Sequence, residues 1–339
     1  MSEDAAAPAS APQTGSDEGR PRSLRARIGR LFADPYVAVI SYDDNTIWPG
    51  VTLAAREAAG RPAKIFVRLS WATTRFTMQR MVRDLRAAKA RHPNLTLTVM
   101  TETDRAAEAY RRIGVDAFQA NPNAFVDERP FAPDPEAPKD FDAVYTARFA
   151  PFKRHDLAAQ VEQLALISAA DYDDLESAAA ILRALPGVSY CNLDPETGEL
   201  WFLGRRGVAD VLNRSRCGLA LSAEEGGMRA SIEYLYCGLP VVSTASKGGR
   251  ALFFSPHFVE IVEAEPTAVA KGVERFRTDP PDPRMVRERT LERVLRIRAR
   301  FLERLSKVIE ADAFALADSR LWLPQFRGSL VEWEEHPAQ

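Results

Sequence analysis

The chain alternates twice between short apolar segments and longer amphipathic segments, and this feature limits its possible folds more than any other. Between residues 36 and 121, four segments rich in β-branched and aromatic residues are separated by three segments whose apolar residues recur at helical spacing. A β-α-β order of this kind predicts a parallel sheet with helices packed against its faces. The four apolar segments are YVAVISY, AKIFVRLS, LTLTVMT and DAFQAN.

The same alternation starts again at residue 141, after a segment rich in proline and acidic residues. Because residues 131–140 contain three prolines and no apolar period, we predict that they link two domains. The predicted fold class is α/β, with two Rossmann-like, doubly wound parallel-sheet domains. The predicted boundaries are an N-terminal segment at 1–32, a first domain at 33–130, the linker at 131–140, a second domain at 141–284, and C-terminal helices with a tail at 285–339.

The N-terminal segment has two parts with different compositions. Residues 1–20 are rich in Ala, Pro and Ser and lack any periodicity, so we predict that they are disordered. Residues 20–32 are basic and carry apolar side chains at helical spacing, among them Leu24 and Ile28, which predicts a short helix. Two interpretations of this helix stay open: peripheral contact with an anionic membrane, or docking on the protein body with a solvated basic face.

The overall composition excludes some classes of function. Among 339 residues there are 45 basic and 47 acidic side chains, so the net charge of −2 offers no electrostatic surface for nucleic acid. Without an apolar run of membrane-spanning length or a signal-peptide core, we expect a cytoplasmic protein, either free or peripheral at the inner face of the membrane. Cys191, Cys217 and Cys237 are widely spaced and expected to be reduced, and the histidines do not cluster, so we predict neither a metal site nor a cofactor.

The most informative loop contains Glu225, Gly226 and Gly227 and precedes a predicted helix that carries Glu233. Ligands of open parallel sheets bind at the carboxyl ends of strands, where such loops lie. Glycines let the backbone approach a ligand, the helix N-terminus presents free N–H groups, and carboxylates accept hydrogen bonds from sugar hydroxyls. This combination favours a phosphate or a sugar as ligand. The alternative is that the acids at the loop only cap the helix.

Two further loops follow predicted strands in the second domain. In ARFAPFKRHD, Arg148 and Lys153 would suit a diphosphate, Arg as a planar fork and Lys as a point charge. The alternative for this pair is two surface charges at a strand end. In STASKGGRALF, Gly248 and Gly249 again expose the backbone beside a strand end.

Taken in order, these loops resemble the C-terminal domain of the GT-B-fold retaining glycosyltransferases of glycosyltransferase family 4. The resemblance covers roughly residues 142 to 270 and rests on RFAPFKR, then CGLALSAEEGGMRASIEYLYCGLPVVST, then KGG; DAFQANPNAFVDERPF also resembles the family's interdomain segment. It implies two Rossmann-like domains facing a central cleft. It also implies a hexosyltransferase-like enzyme (EC 2.4) that moves a sugar from a nucleotide-sugar to an acceptor hydroxyl with retention, in glycan or glycolipid (surface polysaccharide) biosynthesis.

The resemblance also implies a role for each matching residue. Arg148 and Lys153 would hold the donor diphosphate, and Glu233 the ribose hydroxyls. Glu225 would be the catalytic group that holds the donor sugar. The remaining donor-binding positions expose backbone and are Gly226, Gly227, Gly248 and Gly249. No metal would be required, because the cationic side chains and the helix dipole would neutralise the leaving diphosphate.

The sequence departs from the family pattern in two places. Arg250 follows Gly249, where such enzymes commonly carry an acid. The loop after the first strand of the first domain has no glycine-rich run; instead it carries Asp43, Asp44 and Asn45, which either contact the acceptor or cap the next helix. Two other functions therefore stay open: a non-catalytic partner protein that binds nucleotide-sugar, and a nucleotide-sugar epimerase.

Overall fold

The computed structural model describes residues 22–42, 46–69, 72–168, 180–181, 183, 185, 187–194, 196–310, 318–327 and 329–335. These residues form two six-stranded sheets flanked by helices, together with a two-stranded parallel pair. The strands are β1 (Arg22–Ala33), β2 (Tyr36–Tyr42), β3 (Ala63–Leu69), β4 (Leu95–Thr101), β5 (Ala117–Gln119), β6 (Phe141–Thr146), β7 (Leu164–Ile167), β8 (Ser189–Tyr190), β9 (Ser215–Ala220), β10 (Glu224–Glu225), β11 (Val241–Thr244), β12 (Lys247–Gly248), β13 (Val259–Val262) and β14 (Ser329–Glu335).

The helices fall largely between the strands, as the alternation predicts. Helix α2 begins at a capping box, in which Thr74 and Thr77 bond to each other's backbone N–H, and Thr103 caps α3. The α-helices are α1 (Trp48–Ala58), α2 (Arg75–Arg91), α3 (Asp104–Arg112), α4 (Gly204–Asn213), α5 (Arg229–Tyr236), α6 (Pro266–Thr278), α7 (Pro283–Ile309) and α8 (Ser319–Trp322). Short 3-10 helices span Pro122–Phe125, Pro151–Lys153, His155–Ala158, Arg250–Phe253 and Leu323–Arg327.

The N-terminal sheet has the strand order β14-β1-β2-β3-β4-β5, and β2 through β5 are parallel. Every residue of β2 is buried, as expected for a central strand that is covered on both faces. The C-terminal sheet is parallel throughout, in the order β13-β11-β9-β6-β7-β8. The predicted α/β class with two doubly wound parallel-sheet domains is confirmed.

The helix predicted for residues 20–32 is wrong, because the chain from Arg22 to Ala33 is strand β1. Its backbone pairs antiparallel with β2 on one side and with β14 on the other. Ala26 and Ile28 are buried while Arg27 and Arg30 are exposed, so the burial has the period of a strand. The interpretation as a membrane-surface helix therefore fails; residues 1–21, which include the segment predicted to be disordered, lie outside the described part of the chain.

Strand β1 also shows how closely the C-terminal tail contacts the N-terminal domain. A Cβ on Gly29 would lie 1.8 Å from the carbonyl oxygen of Gln325, so only glycine fits at this position. The tail, α7 and the N-terminal domain share an aromatic cluster, in which Phe125 stacks on Phe326 at 3.9 Å between ring centres and Phe301 contacts both. The C-terminal residues thus return to complete the first sheet.

Helix α7 is one continuous helix of 27 residues that connects the two domains. Its buried Arg298 donates hydrogen bonds to the backbone of Ala124 and forms an ion pair with Glu128 at 2.7 Å. The alternation in the second domain also leads one to expect a helix between β6 and β7, in the segment HDLAAQVEQL, and this expectation is wrong. Because β7 already starts at Leu164, only two 3-10 turns fit before it. No helix in the described parts of the chain is both long enough and apolar enough to cross a bilayer.

Candidate functional site

The loop between β9 and α5 places Glu225 at the carboxyl ends of the C-terminal strands. Glu225 lies in β10, which pairs in parallel with β12 so that Glu225 faces Gly248. Gly248 has a φ of 113°, and a Cβ on it would lie 1.7 Å from the Glu225 carbonyl oxygen, so this pairing requires glycine. The next residue, Gly249, donates its N–H to the Gly226 carbonyl at 2.7 Å. The two glycine loops predicted from the sequence therefore form one structure.

The side chain of Glu225 is held by two partners. Its Oε1 forms an ion pair with Lys153, and its Oε2 accepts a hydrogen bond from Ser222 at 2.5 Å. The Lys153 and Glu225 side chains are only 9% and 12% exposed, so this charged pair is largely withdrawn from water. A pair of opposite charges in such a place can exchange partners with a ligand that carries both hydroxyls and phosphates.

The backbone of Lys153 is fixed by a buried tyrosine. The Tyr145 hydroxyl, at the end of β6, donates to the Lys153 carbonyl oxygen, and burial raises the pKa of Tyr145 so that it remains a donor. The following residue, Arg154, has a left-handed φ of 52° and donates from Nε to the Leu221 carbonyl at 2.6 Å. Arg154 thereby ties the loop after β6 to the end of β9, and this leaves Lys153 directed at Glu225.

Arg148 and Lys153 both lie near the ring of Phe152. The guanidinium carbon of Arg148 is 5.2 Å from the centre of the Phe152 ring, and the Lys153 amine is 5.1 Å from the same centre. Both cations therefore lie near the same ring, at a distance where cation–π attraction holds them. The structure brings together three of the predicted residues: Arg148, Lys153 and Glu225.

Glu233 lies apart from this cluster, along helix α5. It lines a cavity of about 300 Å³ whose wall also contains Gly227 and residues of both domains. A cavity of this volume is at the lower end of the range typical of small-molecule sites. The other residues that matter for its chemistry are Arg68, Asn123, Phe202 and Arg205.

Sequence reasoning missed Phe202 and Arg205 at this cavity. Phe202 is 87% exposed beside Glu233, so its ring face is free to stack on a planar group. Arg205 is held by Asp127 at 3.1 Å, and Asp127 belongs to the segment before the linker. The available signal was an aromatic pair, Trp201 and Phe202, directly before a helix; it could have marked a stacking surface.

Two asparagines of the N-terminal domain, which the sequence analysis also missed, contact the glycine loops. Asn121 donates from Nδ2 to the Gly249 carbonyl at 2.9 Å, and Asn123 donates from Nδ2 to the Gly227 carbonyl. A Cβ on Gly227 would lie 2.6 Å from Asn123 Oδ1. The absence of side chains at Gly227 and Gly249 therefore also lets the N-terminal domain pack against these loops. The sequence did not suggest this second reason for the glycines.

Arg250 occupies the position where the resemblance leads one to expect an acid. Its side chain is almost completely buried and donates to the Thr244 carbonyl at 2.7 Å and to the Ser243 hydroxyl at 3.0 Å. Burial lowers the pKa of Arg250 to about 10, and the nearby Glu225 carboxylate opposes that shift, so the guanidinium stays charged at neutral pH. Arg250 thus places a third positive charge near Glu225.

His155 lies two residues after Lys153 and is 2% exposed. Burial, with a smaller contribution from the Lys153 charge, lowers the pKa of His155 to about 4, so the imidazole is neutral at physiological pH. Its ring packs near Tyr145 and Phe149, at 5.0 Å and 5.7 Å between ring centres. These contacts agree with a structural role for this histidine.

The candidate acceptor residues Asp43, Asp44 and Asn45 lie outside the described part of the chain. Among the described residues there is no group of three or more His, Cys, Asp or Glu side chains that could hold a metal ion.

The fold is similar to solved structures of HepE from Anabaena. The HepE complex with UDP and glucose has a TM-score of 0.58 and 13% identity, over 79% of this chain and 77% of HepE. The complex with UDP-glucose gives 0.56 and 15%, over 81% and 80%. The pneumococcal O-GlcNAc transferase GtfA, solved with UDP and GlcNAc, gives 0.50 and 12%, over 76% of this chain and 54% of GtfA.

No family model matches the sequence, and no curated protein matches it either. Identities this low establish similarity of fold and not of function. The structural neighbours are GT-B glycosyltransferases, and this chain has the GT-B fold that they share, with two Rossmann-like domains.

Proposed function

We propose that this protein is a glycosyltransferase that moves a sugar from a nucleotide-sugar donor to an acceptor hydroxyl. The observation that carries the proposal is the Lys153–Glu225 pair at the carboxyl ends of the C-terminal strands; Glu225 belongs to the loop that precedes α5, the helix whose Glu233 lines the cavity. Basic groups for phosphates and acids for hydroxyls are what a sugar nucleotide requires. UDP-sugars are the first donors to test, because the structures of HepE and GtfA contain UDP.

In the proposed complex, each half of the site binds one part of the donor. Glu233 accepts hydrogen bonds from the ribose hydroxyls, and the exposed face of Phe202 stacks on the base. Arg148 and Lys153 bind the diphosphate, and the Glu225 carboxylate, released from Lys153, accepts hydrogen bonds from the donor sugar. Because Lys153 moves from one anion to another, its positive charge remains compensated throughout.

The same groups would promote the chemistry of transfer. Breaking the bond between sugar and diphosphate develops negative charge on the leaving phosphate oxygen. Once the donor is bound, Lys153, Arg148 and the buried charge of Arg250 can stabilise that charge, and electrostatic stabilisation of this kind is usually the largest contribution to catalysis. We propose that no metal is needed for this reason.

Three finer features belong to the same proposal. The resemblance of the loops to glycosyltransferase family 4 supports retention of anomeric configuration, a hexosyl donor, and an acceptor from glycan or glycolipid biosynthesis. Asp43, Asp44 and Asn45 follow β2, whose carboxyl end belongs to the N-terminal sheet, and remain the candidate acceptor contacts. A cytoplasmic location stays a prediction of the sequence.

A non-catalytic donor-binding protein is the second candidate, and Arg250 is the observation that favours it. Where the resembling enzymes commonly carry an acid, this chain has a buried arginine that bonds to the strand end. Such a protein would bind nucleotide-sugar through the same residues but would not turn it over.

The test combines binding with product analysis. UDP, UDP-glucose and UDP-GlcNAc should raise the melting temperature, because a ligand at a hundred times its Kd adds about 2.7 kcal/mol to the free energy of unfolding. Incubation with the sugar nucleotide should release UDP and transfer or hydrolyse the sugar, with a chelator present and without it. Binding without turnover indicates the non-catalytic protein, and an isomeric sugar nucleotide formed without acceptor indicates an epimerase. If no sugar nucleotide binds, the proposal is wrong.

A further inference from the structure

We propose that a cavity between the N-terminal domain and the C-terminal part of helix α7, the α7 cavity, binds a small dianion such as a phosphate ester. Its volume is about 630 Å³, within the range of small-molecule sites. None of the described residues that line it also lines the Glu233 cavity, so the two cavities are distinct. Five cations line the α7 cavity: Lys64 of β3, Arg111 of α3, and Arg300, Arg304 and Lys307 of α7.

The cations around the α7 cavity outnumber the acids. Two acids, Asp104 and Glu303, also line it, and Asp116 forms ion pairs with two of the cations, Lys64 and Arg304. An excess of two positive charges remains, which is close to the charge of a phosphate ester at neutral pH. Because a concave site focuses the field of its charges, this excess attracts a small anion into the cavity.

Two of the arginines can bind a ligand at little cost to the fold. Arg300 lies 3.4 Å from Asp104, and the two side chains are 56% and 73% exposed. An exposed ion pair of this kind contributes little to stability, so an anion can replace the acid. Arg111 has no acidic partner among the described residues, and it donates a hydrogen bond to the Ala117 carbonyl at 3.0 Å. Guanidinium groups suit phosphate because they can donate two parallel hydrogen bonds to it.

Gln119 gives the α7 cavity a buried hydrogen-bond donor that lacks an acceptor. It is the last residue of β5, lines the cavity and is 4% exposed. Its Oε1 accepts a hydrogen bond from Arg300 at 3.1 Å, which fixes the orientation of the amide. Its Nε2 has no acceptor among the described residues. Because an unpaired buried donor destabilises a fold, a phosphate oxygen that bonds to Nε2 would bind favourably.

Aromatic rings hold two of the cations in position. The Arg304 guanidinium lies 4.6 Å from the centre of the Phe118 ring, and the Lys64 amine lies 5.8 Å from the centre of the Phe66 ring. Both rings are buried, so they form a fixed support. Burial lowers the pKa of Lys64 more than Asp116 raises it, so the ammonium gains from a further anion.

The α7 cavity has walls from two parts of the molecule. Arg111 and Gln119 belong to the N-terminal domain, whereas Arg300 belongs to the helix that connects the two domains. A bound anion would therefore hold the C-terminal part of α7 against β5 and α3. The inference rests on this cavity alone and does not depend on the proposed catalytic function.

The experiment measures the binding of phenyl phosphate, a dianionic ester, to the full chain by titration calorimetry at low salt. Hydrogen–deuterium exchange with and without this probe locates the site. The test variants are Arg111→Gln and Gln119→Met. The matched control is Arg112→Gln, which removes the same charge from the next position of α3, outside the cavity. Lys153→Ala controls for binding of the probe at the candidate donor site.

We expect wild type, Arg112→Gln and Lys153→Ala to bind phenyl phosphate alike, and uncharged phenol not to bind. Arg111→Gln and Gln119→Met should each bind the probe about 10- to 100-fold more weakly, since each loses a hydrogen bond to a charged group. Gln119→Met should keep the melting temperature of wild type, because it removes an unpaired donor. In wild type and Lys153→Ala, the probe should slow exchange in β5 and in residues 300–309.

Four results would overturn the inference. Wild type that does not bind phenyl phosphate contradicts it directly. Equal losses in Arg111→Gln and Arg112→Gln would mean that only net charge matters. Unchanged affinity in Gln119→Met would show that the buried amide does not contact the anion. Slower exchange confined to the loops around Glu225 would place the probe in the candidate donor site instead.

Discussion

The two halves of the candidate donor site use their charged groups in different ways. Around Lys153 the charged groups are paired within the protein, and we call this part the closed half. Lys153 forms an ion pair with Glu225, and Glu225 also accepts a hydrogen bond from Ser222. Glu233 lines a cavity of about 300 Å³ beside the exposed ring of Phe202, and we call this part the open half. A ligand can enter the open half through this cavity, but it must separate Lys153 from Glu225 to enter the closed half.

Because of this difference, we expect the open half to provide affinity for the nucleoside and the closed half to provide specificity for the complete sugar nucleotide. The open half should contribute binding energy for any nucleoside, since the exposed face of Phe202 can stack on a base. In the closed half the gain from a diphosphate is reduced by the lost ion pair, unless the sugar hydroxyls compensate Glu225 at the same time. A complete sugar nucleotide satisfies both members of the pair, so the closed half favours the whole donor over its fragments.

The largest expected effect comes from removing Glu225. Glu225→Ala should reduce turnover by about two to three orders of magnitude, as for loss of one preorganised group that acts in the transition state. UDP affinity should stay the same or rise slightly, because Lys153 is released from its partner. Steady-state kinetics and calorimetry measure the two effects. The matched control is Glu224→Ala, an exposed neighbour on the same strand, and wild-type turnover in Glu225→Ala would contradict the assignment.

The closed half should also make stability depend on pH through His155. Because folding lowers the pKa of His155 from its ordinary 6.5 to about 4, the unfolded chain binds the proton more readily between these values. The contribution of neutral His155 to the free energy of unfolding is therefore fully present above pH 6.5 and is lost as the pH falls towards 4. Between pH 7 and pH 4.5 this loss amounts to about 2–3 kcal/mol.

Urea unfolding of wild type and His155→Gln at both pH values measures this contribution. Between pH 7 and pH 4.5, the free energy of unfolding of His155→Gln should fall by about 2–3 kcal/mol less than that of wild type. The carboxylates titrate alike in both proteins, so their contribution cancels in the comparison. His257→Gln, at an exposed ring, controls for loss of an imidazole. Identical losses in wild type and His155→Gln would show that this buried histidine does not link pH to stability.

In the open half, Glu233 should act on every ligand that contains ribose. Glu233→Ala should weaken uridine and UDP by the same 1–3 kcal/mol (about the range for a hydrogen bond to a charged group), since the lost contact does not involve phosphate. Glu233→Gln keeps an accepting oxygen, so it should weaken the binding of both ligands less than Glu233→Ala does. Calorimetric titration of both ligands measures these losses. Unchanged uridine affinity in Glu233→Ala would show that Glu233 does not bind the ribose hydroxyls.

Local signals were sufficient for much of the fold. The apolar run of β2 and the amphipathic segments that follow it depend on neighbouring residues, so the sequence located the strands β2 to β5 and the helices between them. Strand β1 was mistaken for a helix because the spacing of Leu24 and Ile28 fits a helix, and because one of its two partners, β14, lies about 300 residues further along the chain. An edge-to-edge pairing of that separation leaves no local trace beyond alternation, which the basic residues obscured.

Similar reasons explain what sequence reasoning missed at the site. It identified Lys153 and Glu225 separately, each as a ligand contact, and could not show that residues 72 positions apart bind each other. Arg250 was visible only as a missing acid; its burial against Ser243 and Thr244 depends on how the chain folds back onto the end of β11. Phe202 was missed because exposure of an aromatic residue is a property of the folded surface.

The measurement that tests the central claim most directly is the loss of affinity for uridine and for UDP when Lys153 is replaced. If the closed half binds only phosphate, Lys153→Ala should weaken UDP by about 1.5–3 kcal/mol and leave uridine unchanged. The double variant Lys153→Ala/Glu225→Ala, which leaves no unpaired carboxylate, should show the same difference between the ligands. Titration calorimetry of both ligands against wild type and the two variants provides the values. Equal losses for uridine and UDP would contradict the account, because Lys153 would then support the fold instead of the diphosphate.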